Sequence, residues 1–176
     1  MRRAYVSAER VMDAPAAVVY HCIADYREHH RTEGFLPAVF TDLQVEQGGV
    51  GAGTVIRFTM NLGGRRRTAV ARVEEPQPGR VLVETGGGAQ TTFTVLPEGA
   101  GARVRFDTVL EGSGLDGVML QLFGARLLGP VYEDELTRLE QEARRHPLPL
   151  APATGPAPGA AGGPAAAPAA GVSPAA

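Results

Sequence analysis

Hydrophobic and polar residues alternate with a period of two through much of the chain, a pattern typical of β-strands that bury one face. The first such run is Tyr5–Met12, and further runs lie at residues 39–45, 54–62, 65–75, 80–85, 90–96 and 102–111. Short turns rich in Gly and Pro separate the runs, among them the two-residue connection Gly63-Gly64. Because parallel neighbours need long crossovers, these tight turns predict one antiparallel meander.

The first helical pattern follows Asp13-Ala14-Pro15, which combines a candidate acidic cap, Asp13, with a proline in the first turn. Its apolar residues recur at i, i+3, i+4 and i+7, namely at Ala16, Val19, Tyr20 and Ile23. The polar run at residues 25–33 predicts a break followed by a second short helix.

A long final helix is predicted from about residue 114 to residue 145. Its apolar residues keep helical spacing, whereas Gly129-Pro130 predicts a kink or a brief break, because proline removes a helical hydrogen bond. The alternation of acidic residues with arginines predicts a solvated face, with acidic members Glu133, Asp134, Glu135, Glu140 and Glu142.

The composition changes abruptly at His146-Pro147. Residues 147–176 contain no Asp, Glu, Arg or Lys and consist almost entirely of Ala, Pro and Gly. Such a segment has little surface to bury, so we expect a disordered tail after a domain at residues 1–146.

Charge and cysteine content narrow the function classes. The net charge of −2 gives no reason to expect nucleic acid as a partner. The single cysteine, Cys22, excludes an intrachain disulfide and a thiolate metal cluster. No apolar run reaches the ~18 residues that a membrane helix needs, so we expect a soluble, cytoplasmic protein without stable membrane insertion.

The order strand, two helices, six strands and a final helix resembles the helix-grip fold of the START-related SRPBCC superfamily, in its polyketide cyclase/dehydrase-like group. Residues 13–20 are similar to its opening helix, and Asp25-Tyr26 with Phe35-Leu36-Pro37 to the passage into its second strand. Gly51-Ala52-Gly53-Thr54 resembles its glycine turn, and Val73-Glu74-Glu75-Pro76 the end of one of its strands. The resemblance implies an α+β domain in which a curved antiparallel sheet of about seven strands surrounds the C-terminal helix. It also implies a cavity between them.

Alternation selects residues that line such a cavity. We predict a mostly apolar lining with a few polar anchors: Phe58, Met60, Phe93, Phe106, Thr108 and Leu110 from the sheet, and Met119, Leu122, Phe123 and Tyr132 from the helix. Thr91 is a further candidate anchor, whereas Arg57 and Asn61 are expected to face outward and Glu111 to lie near the mouth. No His or carboxylate is placed on the inner face, so no catalytic set is predicted.

The remaining chemistry-bearing residues favour plain structural roles. His21, Glu28, His29 and His30 lack a metal-ligand spacing and are interpreted as exposed polar residues, so no metal or other cofactor is predicted. Cys22 is expected to pack between helix and sheet, because His21 points about 100° away from it on a helix. Arg65-Arg66-Arg67 marks a solvated hairpin tip, and the glycine runs 48–53 and 86–88 are turns rather than phosphate loops.

Three functions follow from these observations. The preferred hypothesis is a module that binds a small hydrophobic molecule such as a lipid, a quinone or a polyketide-like compound. A polyketide cyclase, aromatase or dehydratase would need titratable groups inside the cavity. A co-activator-type interaction module would bind a protein through its surface or its tail.

Overall fold

The computed structural model describes residues 2–146, except for the side chains of Leu62 and of residues 115–123. The tail predicted for residues 147–176 lies outside the described residues. No helix in the described part of the chain is both long and apolar enough to cross a bilayer.

Seven strands and three helical segments make up the domain. The strands are β1 (Arg2–Met12), β2 (Phe40–Gln47), β3 (Val55–Leu62), β4 (Arg65–Gln77), β5 (Val81–Gly86), β6 (Ala89–Glu98) and β7 (Gly101–Gly112). The helices are α1 (Ala16–Ala24), a 3-10 helix (His29–Arg31) and α2 (Gly114–Arg145).

All seven strands form one antiparallel sheet in the order β1-β7-β6-β5-β4-β3-β2. Strands β2 to β7 are sequential neighbours, which confirms the predicted meander, and β1 closes on β7. The β3–β4 hairpin turns through Gly63 and Gly64, whose φ angles of 58° and 74° require glycine-like freedom at both positions.

One face of the sheet carries the core. Along β7, residues Val104, Phe106, Thr108 and Leu110 are buried, as their alternation predicts. Arg105 and Asp107 point the other way and pair at 2.8 Å on the surface. The long helix α2 packs on β1 and β7 and also contacts α1, so the sheet and α2 hold the core between them in a helix-grip fold.

Of the kink or brief break predicted at Gly129-Pro130, the break does not occur, because helix α2 continues from Gly114 to Arg145 through Pro130. One local expectation is wrong. Asp13 does not cap α1; the cap position is Pro15, and no side chain bonds to the helix end. The backbone N–H of Asp13 instead donates to Glu140 on α2.

Candidate ligand cavity

A small cavity lies between α2 and the half of the sheet that contains β2, β3 and β5. Its volume is about 50 Å³, room for a few water molecules. Apolar residues form most of its wall and three titratable residues complete it: Leu36, Phe40, Leu43, Ile56 and Phe58, with His30, Glu84 and Glu135.

A β-bulge shapes the apolar wall. The register between β2 and β3 shifts between Thr41 and Gln44, and Asp42 has a φ of 56° within the shift. The extra residue lets both Phe40 and Leu43 face the cavity although they are three positions apart, where regular alternation would turn one of them outward. Phe40 and Phe58 meet edge to face, with ring centroids 5.9 Å apart.

Glu84 enters the cavity from β5. It shares its face of the strand with Leu82, which is fully buried. The Tyr26 hydroxyl donates a hydrogen bond of 2.5 Å to Glu84 Oε1. Burial raises the pKa of Glu84, and the bond from Tyr26 opposes that rise because it favours the carboxylate.

Glu135 enters the same cavity from α2. Burial, together with the nearby charges of Glu84 and Asp134, raises its pKa from the ordinary 4.5 to about 8. At neutral pH the Glu135 carboxyl therefore keeps its proton in most molecules and offers an O–H donor to the cavity. Two carboxyls thus face one small, mainly apolar space, and no arginine is among the residues that line it.

His30 closes the polar end. Its Nε2–H donates to the carbonyl of Ile23 at 2.9 Å, and its ring packs 4.3 Å from Tyr26 and 5.0 Å from Phe35. Burial lowers the pKa of His30 to about 4. The ring is therefore neutral and fixed in orientation.

The polar residues on β6, β7 and α2 are arranged differently. Thr108 Oγ1 lies 2.6 Å from the Tyr132 hydroxyl and 2.9 Å from Thr91 Oγ1. Since these hydroxyls are both donors and acceptors, the three groups can satisfy one another. A ligand would have to displace an internal bond to use them as anchors.

Comparison with known families decides the relationship. Residues 3–144 match the family described as polyketide cyclase / dehydrase and lipid transport. The chain belongs to this family. Comparison with curated proteins gives no match.

Solved structures support the same fold. The KanY protein is 24% identical with a TM-score of 0.69, and the alignment covers 82% of this chain and 99% of that one. The Zhui aromatase/cyclase from a Streptomyces species is 17% identical with a TM-score of 0.61, over 82% and 96% of the two chains. A START superfamily protein from Mycobacterium smegmatis is 16% identical with a TM-score of 0.62, over 80% and 97%.

Within this family fold, the residues predicted to line the cavity fall into four groups. Phe58 lies on the cavity wall. Phe93, Phe106, Thr108, Leu110 and Tyr132 are buried but do not line this cavity, and Phe93 and Phe106 pack edge to face at 4.7 Å. Met60 is half-buried opposite Phe40, and the side chains of Met119, Leu122 and Phe123 lie outside the described ones. A ligand-contacting role for the whole set stays a prediction.

The polar anchors beyond this set are also placed by the structure. Arg57 is exposed and pairs with Glu46 at 2.6 Å, and Asn61 is exposed, so both face outward as predicted. Glu111 pairs with Arg3 at 2.8 Å on the outer side of the sheet.

The expectation that no His or carboxylate reaches the inner face is wrong. Glu135 was assigned to the solvated face of α2, yet it stands three residues after Tyr132 and seven after Leu128, on the buried stripe of the helix. Glu84 follows Leu82 at the strand period of two. Periodicity alone places both residues on the inner faces of their elements, provided that a charged residue is accepted on an apolar face.

The other chemistry-bearing residues have clear environments. Cys22 is fully buried, as predicted, and burial raises the pKa of its thiol to about 12, which argues against a nucleophilic role. His29 is only 3% exposed, and Glu142, which was predicted on the solvated face of α2, is 2% exposed, so both interpretations are wrong. Arg66 at the hairpin pairs with Asp42 at 3.0 Å.

A second, larger cleft of about 460 Å³ lies on the surface where the β2–β3 connection meets the end of β4. Its lining mixes polar side chains, among them Gln47, Arg72, Glu74 and Glu75, with apolar ones such as Val55, Val73 and Pro76. Among the described residues, no aromatic ring and no residue of α2 lines this cleft, so the cavity at Glu84 and Glu135, which lies between the sheet and α2, is the better candidate site.

Proposed function

We propose that the protein binds a small, mainly apolar molecule between its sheet and α2, and that a carbonyl oxygen of this molecule accepts a hydrogen bond from Glu135. The observation that carries the proposal is the pair of carboxyls, Glu84 and Glu135, facing one apolar cavity. A neutral, half-buried carboxyl beside aromatic rings is a strong donor to an uncharged acceptor. Carbonyl-bearing compounds of the quinone or polyketide-like kind fit this site better than a plain acyl chain.

The cavity has to widen for such a ligand. At about 50 Å³ it is far smaller than the ~300–1,000 Å³ of typical ligand sites. The movable part of its wall is the rim, where Phe40, Leu43 and Phe58 are only partly buried. Displacing these side chains would open the space without disturbing the fully buried core around Phe106.

A pair of matched probes tests the proposal. Tetralone and tetralin share one bicyclic skeleton and differ by a carbonyl group, so their binding to the full chain, followed by NMR shift changes, isolates the proposed hydrogen bond. Glu135→Leu should weaken tetralone about tenfold, the value of one such bond, and leave tetralin unchanged or slightly tighter. Glu133→Gln, on the exposed side of α2, is the control and should change neither probe.

Equal binding of the two probes to the unchanged protein would contradict the role of Glu135. Shift changes confined to the surface cleft near Glu75 would contradict the location.

Acid–base catalysis of the cyclase or dehydratase kind is the second candidate, and the raised pKa of Glu135 favours it. A general acid works best when its pKa lies near the working pH. In a dehydration, the Glu84 carboxylate would take a proton from the carbon next to a carbonyl. The β-hydroxyl would leave as water with the proton of Glu135 while the new C=C bond forms.

This second function makes a distinct kinetic prediction. A β-hydroxy ketone that fits the cavity should lose water at a rate that falls as pH rises through the pKa of Glu135, and Glu135→Gln should abolish that limb of the profile. An unchanged profile in the variant would remove Glu135 as the acid and leave the binding proposal intact.

A further inference from the structure

A separate cluster of ligand-type side chains lies at the C-terminal end of α2. His29 lies in the 3-10 helix, Glu142 near the end of α2, and His146 immediately after α2. His29 and Glu142 are 113 positions apart in the sequence. His29 Nδ1 lies 2.9 Å from Glu142 Oε1, and His146 Nε2 lies 3.1 Å from the same oxygen. The three candidate ligand atoms all lie within 4.8 Å of one another.

We propose that His29, Glu142 and His146 bind one divalent transition-metal ion, with Zn²⁺ as the best match. Two imidazole nitrogens and one carboxylate oxygen are a ligand set that Zn²⁺ prefers, and a fourth position would be filled by water. Three protein ligands with an open fourth position distinguish such a site from a closed, purely structural one.

Two of the three separations between the ligand atoms suit a tetrahedral ion. With metal–ligand bonds of about 2.0–2.1 Å, ligand atoms at tetrahedral angles lie about 3.3 Å apart. The separations of 2.9 and 3.1 Å are within a few tenths of an ångström of this value. Glu142 and His146 are four residues apart, so the end of α2 presents both on one side without rearrangement.

Burial and charge also favour a cation. His29 is 3% exposed and Glu142 is 2% exposed, and a buried carboxylate is stabilised by a positive partner. The Arg145 guanidinium reaches only the other oxygen, Glu142 Oε2, at 3.9 Å. The side chain of His146 is 49% exposed and provides a route for the ion from solvent.

A second group sharing His29 marks the alternative position of the ion. His21, Asp25 and His29 also place their ligand atoms within 4.8 Å of one another. However, His21 Nε2 is 3.9 Å from Asp25 Oδ2, farther than either imidazole nitrogen is from Glu142 Oε1. The group with Glu142 is therefore the tighter set.

The proposed ion would connect the end of α2 to the segment that builds one cavity wall. His30 follows His29 directly, and Leu36 lies a few residues further on, and both line the cavity. Metal binding would fix the 3-10 helix on α2 and so restrict how far this wall can move.

The test uses the full chain without a histidine tag, stripped of metal with a chelator and then titrated with Zn²⁺ by calorimetry and with Co²⁺ by visible absorption. We expect one equivalent to bind, with the intense d–d bands of four-coordinate Co²⁺. His146→Asn changes an exposed side chain and should weaken binding at least about tenfold while the protein stays folded. Glu142→Gln should do the same, and a rise in melting temperature with Zn²⁺ should disappear in both variants.

His21→Asn is the matched control, because His21 is exposed and belongs only to the alternative group. It should bind Zn²⁺ as the unchanged protein does. No binding to the unchanged protein, or equal affinity in His146→Asn, would overturn the proposal and leave a hydrogen-bonded His–Glu cluster. Loss of binding in His21→Asn but not in His146→Asn would overturn this ligand set.

Discussion

The two halves of the grip treat their polar groups in opposite ways. On the β6–β7 half, Thr91, Thr108 and Tyr132 bond to one another beneath the tightly packed Phe93 and Phe106. On the β2–β3–β5 half, Glu84 and Glu135 face a cavity. In the first half the polar side chains bond to one another, whereas in the second half the two carboxyls face the cavity and can bond to a ligand.

The difference shows where function can reside in this fold. A buried polar network that is fully satisfied stabilises the core and holds it in one arrangement. A buried carboxyl with a raised pKa costs free energy when it ionises, and such groups concentrate at functional sites. We therefore expect the acidic half to be the functional half, and variants in each half test this distinction.

The largest effect should come from the packed half. Phe106→Ala should lower the free energy of unfolding by about 3–5 kcal/mol, because Phe106 is 1% exposed and its neighbours cannot close the space. Phe58→Ala should cost distinctly less, since Phe58 borders an existing cavity and is only partly buried. Urea unfolding measures both, and equal losses would contradict the difference between the halves.

Stability should depend on pH through Glu135. Its pKa rises from 4.5 in the unfolded chain to about 8 in the fold, so between these values the folded state binds more protons and stability falls as pH rises. Glu135→Gln should therefore be more stable than the unchanged protein at about pH 9, by about 1–3 kcal/mol, and should lose that advantage near pH 4.

Glu133→Gln controls for the loss of one carboxylate from the same helix. Thermal melts across the pH range compare the stability of the variants. If Glu135→Gln altered the pH dependence of stability less than this control does, the raised pKa would not belong to Glu135.

A smaller effect links the two carboxyls. The charge of Glu84 is the second cause of the raised pKa of Glu135, after burial. Glu84→Gln should therefore lower the pKa of Glu135 but leave it above 4.5, because burial persists. A side-chain NMR titration of the variant checks the direction, and an unchanged or higher midpoint would mean that the two groups do not interact.

The smallest effect should come from the satisfied network. Tyr132→Phe removes the hydroxyl that bonds Thr108 and should cost about 0.5–1.5 kcal/mol in urea unfolding. Tetralone binding should be unchanged, because Tyr132 does not line the cavity. If Tyr132→Phe lost as much tetralone affinity as Glu135→Leu, the ligand would bind in the β6–β7 half and not at the acidic cavity.

The architecture could be predicted because it rests on local periodicity. Strand β7 alternates from Val104 to Leu110, and the tight turn at Gly63-Gly64 leaves only an antiparallel connection. The continuity of α2 through Pro130 does not follow from local periodicity; Leu128 and Val131 on either side of the proline are buried in the core, and such tertiary packing overrides local propensity. Tertiary packing of this kind cannot be predicted from the local sequence.

The site was harder to predict because it depends on contacts between distant segments. The bulge at Asp42 changes which residues of β2 face inward, and it leaves no mark in a simple alternation. His29 and Glu142 are 113 positions apart, and only the docking of the end of α2 near α1 brings them within hydrogen-bond distance. Glu84 and Glu135 were within reach of periodicity, but the rule that charged residues face water hid them.

The titration of Glu135 in the unchanged protein tests the central claim most directly. Carbon-detected NMR of the glutamate side-chain carboxyls, with Glu135→Gln used to assign the signal, gives its midpoint without a ligand or a substrate. The midpoint should lie near 8, because burial and the neighbouring acids hold the proton in the cavity. A midpoint near the ordinary 4.5 would mean that the carboxyl is solvated and that the acidic half of the grip is not a preformed site.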